Sequence, residues 1–234
     1  YNDLGQLERL TTANNGAYTR YVYGPYYIQS FATVNNVADE AYSNRIFDGL
    51  GRVIASAGNH PNSHTGYKAQ LAVYDLMGRT VKTSNPAEIT SAWVPDGDDD
   101  AGWLYTQQTY DWQGRPRVTT NPDGTTREAG YSGCGCAGGN IVTLTDEGTI
   151  SDGVAKRRQQ KIYADVLGRT VKTEILNWEN GSVYSATVNT YNARDQVTEV
   201  KQYAGPEAVG NPHRDTIMTY DGYGRLKTRH LPQE

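Results

Sequence analysis

The sequence predicts an all-β protein, built from tandem antiparallel β-hairpin repeats that form a continuous curved sheet. Three observations lead to this fold class. A turn motif recurs along the whole chain, and tyrosine is the dominant aromatic residue, with 18 Tyr against 2 Phe and 4 Trp. No long segment shows the 3.6-residue apolar period of a helix. The 25 Gly and 9 Pro are spread along the chain, as expected for frequent turns.

The repeat is clearest where six residues recur unchanged, since 78–83 and 168–173 both read GRTVKT. Seven units align on this pattern, at turn positions Gly5, Gly51, Gly78, Gly114, Gly168, Asp195 and Gly224. Three residues before each stands Asn2, Asp48, Asp75, Asp111, Asp165, Asn192 or Asp221. The alignment predicts a single array over 1–234, with units near 1–6, 47–52, 74–79, 110–115, 163–169, 191–196 and 220–225, and an insertion loop at 93–103.

The chemistry of the motif predicts a hairpin tip. Asp or Asn at the first position of a type I turn accepts hydrogen bonds from nearby backbone N–H groups, and Gly three residues later adopts the left-handed conformation that closes a G1 bulge. The structural turn residues predicted in this way are Asp48, Gly51, Asp75, Gly78, Asp111, Gly114, Asp165, Gly168, Asp221 and Gly224. Arg usually follows the turn and an aromatic residue usually precedes it, so we expect the two to face each other across the strands or Arg to pair with a carboxylate.

Strand-like runs rich in Val, Ile, Thr and Tyr flank these turns. They are Tyr67–Tyr74, Thr170–Ile175, Val183–Tyr191, Val197–Tyr203 and Thr216–Tyr220. Because Tyr suits a half-buried pleated surface, both faces of the sheet are expected to be partly wet. The long interval between Gly114 and Gly168 contains two further turn sequences, 121–124 (NPDG) and 146–148 (DEG), which predict a degenerate repeat there.

The net charge and the hydropathy of the sequence argue against two classes of partner, nucleic acid and a spanned membrane. The net charge of −4 argues against nucleic acid as the main partner. No apolar run reaches the length of a membrane span, and no signal peptide is recognisable. Tyr1 already lies inside a repeat unit, so we expect the sequence to be part of a longer chain. The exposed sheet edges at both ends of the array would be covered by further repeats of that chain or by self-association.

Two residue groups are candidates for a metal site. Cys134 and Cys136 form a C-x-C pair, which fits half of a shared zinc site, a strained disulfide or a tight turn between repeats; the tight turn is favoured. Asp96, Asp98 and Asp100 alternate in the insertion loop. Calcium is a possible ligand of such a loop, but the EF-hand positions for Gly and Glu are not filled, so a solvated acidic loop is favoured.

Other reactive side chains fit structural roles better. Pro61 lies between His60 and His64, so a helix with both imidazoles on one face is not expected. Ser132 lacks the glycine pattern of a nucleophile elbow. The tryptophans Trp93, Trp103, Trp112 and Trp178 offer stacking surfaces for sugars, although repeat packing also explains them. An enzyme would have to be centred on the two cysteines and the acidic loop, and no complete active site is predicted.

The repeat resembles the YD repeat of the rearrangement-hotspot (RHS) and teneurin group. The resemblance covers essentially the whole chain, and its best units are 74–79 (YDLMGR), 110–115 (YDWQGR) and 220–225 (YDGYGR). It implies a long β-ribbon coiled into a hollow shell, which in bacterial members encloses a toxin or effector polypeptide and in teneurins and wall-associated proteins serves adhesion at the cell surface.

The expected function is therefore that of a non-catalytic structural scaffold. By resemblance, it encapsulates a toxin or effector or builds an extracellular assembly, and the chain is secreted or at the cell surface. A cell-surface adhesion or carbohydrate-binding module is the alternative, with a surface glycan as partner. No cofactor, nucleic acid or membrane span is expected.

Overall fold

The predicted all-β fold class is confirmed. The computed structural model describes residues 1–34, 39–59, 66–89, 102–133, 139–148, 150–151, 154–155, 157–208 and 212–232. These residues form 20 strands, and none of them is helical; accordingly, this part of the chain contains no helix that could cross a bilayer. The chain divides into two compact units, Tyr1–Thr109 and Tyr110–Glu234.

Unit 1 is an antiparallel sheet in which each strand pairs with the next along the chain from the first to the sixth. Its strands are β1 (Arg9–Thr11), β2 (Tyr18–Tyr23), β3 (Tyr27–Thr33), β4 (Glu40–Phe47), β5 (Val53–Asn59), β6 (Tyr67–Tyr74), β7 (Thr80–Ser84), β8 (Ala87–Ile89) and β9 (Tyr105–Tyr110). Strands β7 and β8 both pair with β6, and β9 pairs with β7. The order is that of a hairpin meander.

The break between β7 and β8 is a local bulge. Ala72 pairs with Thr83, whereas Ala69 pairs with Ala87, so one strand has one residue more than the other between the same two pairs. The Ser84 hydroxyl accepts the Leu71 N–H at 2.8 Å, in place of a backbone carbonyl. Pro86 lies two residues after Ser84, and its missing N–H is tolerated because the ladder is already interrupted.

The core of unit 1 is one thin face of the sheet. Its buried apolar residues are Ile46, Ala55, Ala57 and Ala69. Ile46 pairs with Ala55 and Ala57 pairs with Ala69, so these side chains share a face. Because most of these residues are alanines, the face buries little apolar area. The stability of the sheet must therefore depend on its hydrogen bonds and on the contacts at the strand ends as well.

Unit 2 has the same meander order. Its strands are β10 (Pro116–Thr120), β11 (Thr126–Ser132), β12 (Ile141–Thr145), β13 (Ile150–Ser151), β14 (Val154–Ala155), β15 (Gln159–Ala164), β16 (Thr170–Leu176), β17 (Val183–Tyr191), β18 (Val197–Tyr203), β19 (His213–Tyr220) and β20 (Leu226–His230). Strand β12 pairs with β15, while β13 and β14 form a separate two-stranded hairpin. Its buried apolar residues are Leu176 and Ala186.

The two turn sequences of the degenerate region have different outcomes. Residues 121–124 connect β10 to β11 with the hydrogen bonds of a hairpin tip, since the Gly124 N–H donates to the Asn121 carbonyl at 2.9 Å. At 146–148 the chain does not turn back. The Asp146 N–H instead donates to the Arg158 carbonyl at 3.0 Å, so Asp146 extends the β12–β15 pairing and the β13–β14 hairpin is inserted beyond it.

Candidate functional site: the interlocked hairpin turns

The turn at Asp75 shows how the motif is built. The Asp75 N–H donates to the Arg79 carbonyl at 2.9 Å, and the Gly78 N–H donates to the Asp75 carbonyl at 3.0 Å. One carboxylate oxygen accepts the N–H groups of Met77 and Arg79, each at 2.9 Å. The other accepts the Arg79 guanidinium, with the closest ion-pair distance at 2.7 Å. A single side chain therefore fixes both the turn and the first side chain after it.

The same hydrogen bonds occur at Asp48, Asp111, Asp165 and Asp221. The turn glycines Gly51, Gly78, Gly114, Gly168 and Gly224 all have φ between 77° and 83°. The ladder register shifts directly before four of these five turns, as a bulge requires. All ten predicted turn residues thus lie in one recurring geometry, at the ends of paired strands.

The two units without Arg show a coordinated substitution. At Asn2 the side-chain amide N–H donates to the side-chain amide oxygen of Gln6 at 2.7 Å, and at Asn192 it donates to the side-chain amide oxygen of Gln196 at 2.9 Å. Asp is paired with Arg and Asn with Gln, so each turn keeps a closing side-chain pair, either charged or neutral. The sequence already contained this signal, because both Gln exceptions follow an Asn turn.

This pairing predicts energetic coupling within one turn. Asp48→Asn and Arg52→Gln should each lower the free energy of unfolding. The loss in the double variant should be smaller than the sum of the two single losses by about 0.5–1 kcal/mol. The reason is that Asn and Gln restore a side-chain hydrogen bond like that of the Asn2 turn. Urea unfolding of the four proteins measures the coupling.

The control combines Asp48→Asn with Arg225→Gln, which belongs to a different turn. Those two substitutions should be additive to within about 0.5 kcal/mol. If the losses of unfolding free energy are additive in both double variants, the Asp–Arg and Asn–Gln pairs do not act as coupled pairs within one turn.

The turn carboxylates are held in their ionised form. The backbone N–H of Arg52 is the largest contribution to the lowered pKa of Asp48. For Asp75, partial burial is the largest single contribution and raises the pKa, but the backbone and guanidinium donors of Arg79 outweigh it, so the net pKa is lowered. Asp221 also has a lowered pKa, mainly through the Arg225 N–H. These carboxylates act as fixed acceptors at neutral pH.

At five places a tyrosine links one strand pair to the preceding hairpin turn. The Tyr74 hydroxyl donates to the Val53 carbonyl at 2.9 Å. The paired residues of β5 and β6 end at Ala55 and Leu71, so the Val53 carbonyl lies beyond the ladder, and the Tyr74 hydroxyl supplies it with a donor. Four further tyrosine hydroxyls donate in the same way to a main-chain carbonyl, which lies two residues after the last position of the preceding turn (Gly5, Gly114, Gly168 or Asp195). The pairs are Tyr23 with Leu7, Tyr131 with Pro116, Tyr191 with Thr170 and Tyr220 with Val197, at 2.7–2.8 Å.

An arginine lies over the ring in three of these links. The guanidinium carbons of Arg52, Arg115 and Arg169 are 4.7, 4.1 and 4.8 Å from the ring centroids of Tyr74, Tyr131 and Tyr191. The sequence predicts that Arg faces the ring of its own hairpin, but at these three positions the ring belongs to the following strand pair. The difference arises because the bulge directs Arg towards its own Asp and the adjacent strand. We call the hydrogen bond from the Tyr hydroxyl to the main-chain carbonyl the hairpin lock; in three of its five occurrences an Arg also lies over the Tyr ring.

Two locks were not predictable from the YD motif. Tyr23 precedes Gly24 and Pro25, and Tyr131 precedes Ser132 and Gly133, so neither is followed by Asp. Their shared signal is a tyrosine at the end of a strand-like run, directly before residues that form a turn. A search for that broader pattern would have found them.

Two clusters on the sheet faces pair a glutamate with neighbouring donors. In unit 1, Glu40 accepts Arg20 at 2.7 and 2.8 Å and the Tyr18 hydroxyl at 2.7 Å, and Arg20, followed by Tyr18, lowers the Glu40 pKa to about 2. In unit 2, the Tyr163 hydroxyl donates to Glu174 at 2.7 Å, which is the main cause of the rise in the Tyr163 pKa to about 12. Both shifts move the groups away from neutral pH.

The metal candidates Asp96, Asp98, Asp100, Cys134 and Cys136 lie outside the described residues, as do His60, His64 and Trp93. Within the described ranges, no group of three or more His, Cys, Asp or Glu side chains is arranged to hold a metal ion. Of the other tryptophans, Trp112 is strongly exposed at the centre of a turn, and Trp178 is partly exposed beside β16.

The fold and the locks define a repeat protein made of interlocked antiparallel β-hairpins. Solved structures that are similar to the chain include a Tc holotoxin pore from Photorhabdus luminescens with a mutation in TccC3 (11% identity, TM-score 0.31), TcdB2-TccC3-Cdc42 (13%, 0.33) and TcdB2-TccC3-TEV (12%, 0.28). The matches cover 99% of this chain but only 17%, 15% and 18% of the others. No protein-family model matches, and no curated protein shows a significant match.

Proposed function

We propose that the chain is a non-catalytic structural scaffold of the RHS/YD-repeat kind, a wall segment of a β-shell that encloses a toxin or effector polypeptide or builds an extracellular assembly. The observation that carries the proposal is the hairpin lock, which recurs between successive strand pairs at five places. A recurring contact that joins a hairpin to its predecessor is what an extended wall requires, since the linked repeats then stabilise one another.

The electrostatics support a structural role. A catalytic acid or base works best with a pKa near the operating pH. Here the clearest shifts go the other way, with Glu40 lowered to about 2 and Tyr163 raised to about 12. These groups hold one protonation state across the physiological range and serve as fixed hydrogen-bond partners.

The remaining parts of the proposal follow from the resemblance. We propose that residues 1–234 form one array within a longer chain, that further repeats or copies cover its sheet edges, and that the protein is secreted or at the cell surface. The ten turn residues from Asp48 to Gly224 would be structural, and no cofactor would be needed. The enclosed effector would contact one face of the sheet.

The test uses the full product of the gene that encodes this sequence. Under native conditions, proteinase K should leave a polypeptide from outside the repeat array intact for as long as the array itself survives. The same polypeptide should be digested rapidly once urea has unfolded the array. If non-repeat segments are degraded at the same rate before and after urea treatment, the chain does not enclose a polypeptide.

Carbohydrate binding is a second candidate because of a groove in unit 2. This groove of about 840 Å³ is lined by Tyr184, Tyr203 and His213 together with Ser185 and Gln202. The Tyr203 and His213 rings lie 5.1 Å apart, and Tyr184 is largely exposed, so aromatic faces and polar groups are available together. Specific binding on a glycan array that is lost in Tyr184→Ala would favour this function over the scaffold alone.

A further inference from the structure

The turns of unit 1 expose large apolar side chains at their centres. Leu4, Leu50, Leu76 and Met77 occupy the central positions of three turns, and Tyr26 lies in the connection between β2 and β3. Their exposed fractions run from 60% at Tyr26 to complete exposure at Leu76. We call these five residues the tip row. Turn centres normally favour small or polar residues. Large apolar side chains that are exposed at several neighbouring turns therefore indicate an interaction surface.

The residues of the tip row lie next to one another at one end of the unit 1 strands. Antiparallel connections alternate between the two ends of the strands, so these turns all lie at the same end. Neighbouring turns also touch: Tyr23 bonds to Leu7 beyond the first turn, the Phe47 N–H donates to the Tyr26 carbonyl at 2.7 Å, and Arg52 lies 3.6 Å from a Cβ placed on Gly78. Four successive turns therefore present one line of apolar side chains.

The opposite end of the strands differs in composition. The connection between β1 and β2, residues 12–17, reads TANNGA, and its Asn15 amide oxygen accepts the Ala17 N–H at 3.1 Å. Among the described residues of the connections at that end, Val34 and Leu104 are exposed large apolar side chains, and neither lies at the centre of a YD-type turn. The concentration of Leu, Met and Tyr at one end is thus a property of the tip row, and it does not extend to every turn of the unit.

The side chains that close these three turns are paired internally, whereas Asp3, at the centre of the first turn, is an exposed carboxylate. Asp48 and Asp75 each pair with the Arg of their own turn at 2.6 and 2.7 Å, and Asn2 pairs with Gln6. The carboxylate or amide oxygen also accepts two backbone N–H groups in each turn. Moving such a tip into a less polar environment leaves few hydrogen-bonding groups unpaired, so its desolvation costs less than that of a tip with unpaired charges.

We propose that the tip row inserts into the interfacial region of a lipid bilayer, with the strand ends of unit 1 resting on the membrane surface. The tips are convex and stand two strands apart, about 10 Å, so a rigid protein partner would need a matching hole for each, whereas fluid lipid accommodates them all. Tyr and long apolar side chains are the residues that favour this interface. Because the charges of the Asp48 and Asp75 turns are paired within each turn, binding requires no net charge on the lipid. The proposal is independent of the encapsulating function.

Unit 2 shows why the inference is confined to unit 1. Its tips carry Val166, Leu167 and Tyr223, but Arg194 occupies the turn between them. The Arg194 guanidinium donates to the Gly222 carbonyl at 2.9 Å, so a cation interrupts the apolar line.

The test is co-sedimentation of the 234-residue chain with phosphatidylcholine vesicles, which carry no net charge. We expect binding that persists in 0.5 M salt at roughly its low-salt level, because apolar insertion is not screened. The triple variant Leu50→Ser, Leu76→Ser, Met77→Ser should lose at least about tenfold in partitioning. The matched control is Leu10→Ser, since Leu10 is 61% exposed but lies within β1 rather than in the tip row.

Folding is checked by the urea midpoint of each variant, which should match that of the parent because the substituted side chains are in solvent. In addition, Leu76→Trp should bind vesicles and give tryptophan emission that shifts to shorter wavelength on binding. No vesicle binding, or binding only to anionic vesicles that salt abolishes, would overturn the proposal. So would a self-association that the triple variant removes in the absence of vesicle binding, because the tip row would then join copies of the chain.

Discussion

Gly139→Ala is expected to destabilise the chain by up to about 5 kcal/mol, the largest effect of any single methyl group considered. Gly139 has φ +85°, and a Cβ placed there would overlap the Ala164 carbonyl oxygen, which is backbone and has no rotamer to escape into. Next to it, the Ala164 N–H donates to the Asn140 carbonyl at 2.9 Å. The methyl group would therefore force β12 and β15 apart where their pairing begins.

Gly168→Ala is the matched control. Its φ is +80°, close to that of Gly139, but a Cβ placed there has no atom within 4 Å. Only the left-handed backbone then opposes the methyl group, at a cost of about 1–2 kcal/mol. The tolerance of this conformation is visible at Asp195, a non-glycine residue with φ 62°. Equal losses in the urea-unfolding free energies of the two variants would show that the overlap at Gly139 is relieved by movement of the chain.

Tyr191→Ala is expected to cost about 2–4 kcal/mol, because it removes a hairpin lock together with its ring contact. The variant loses the hydrogen bond to the Thr170 carbonyl at 2.8 Å and the ring under the Arg169 guanidinium. Tyr191→Phe keeps the ring and should cost only about 0.5–1.5 kcal/mol, the usual net value of one hydrogen bond. The difference between the two variants separates the ring contact from the hydroxyl contact.

Tyr184→Ala serves as the control for Tyr191→Ala. Tyr184 lies on the same strand, β17, but its side chain is largely exposed, so the substitution should change the unfolding free energy by no more than about 0.5 kcal/mol. Similar losses at both positions would mean that the effect at Tyr191 reflects strand propensity rather than the lock.

The strands were predictable where side-chain character and turn chemistry agree. Tyr67–Tyr74, Val183–Tyr191 and Val197–Tyr203 have the predicted bounds, because each ends at a turn and consists of residues that favour a pleated surface. Strand β19 begins three residues earlier than predicted, at His213. His213, Arg214 and Asp215 are polar, but they pair with Tyr203, Gln202 and Lys201, so the ladder overrides their low strand preference.

The contacts between repeats were harder to predict than the turns themselves. A turn is encoded within five consecutive residues, so Asp75 and Gly78 identify it locally. A lock joins residues about 15 to 23 positions apart, such as Pro116 with Tyr131 and Val197 with Tyr220, and this separation depends on the length of each intervening connection. Likewise, the bulge at Ser84 depends on a hydroxyl replacing a carbonyl, which no apolar pattern reveals.

The acceptor of each hairpin lock is a main-chain carbonyl, and the residues that provide it are as different as Leu7, Val53, Pro116, Thr170 and Val197. The following hairpin needs only to supply a tyrosine, whatever the side chain of the residue whose carbonyl accepts the hydrogen bond. A gene for such a chain can therefore gain, lose or exchange hairpins by recombination without a compensating mutation in the neighbour. Length and insertions can then vary rapidly between descendants of one ancestral array while the junctions remain compatible.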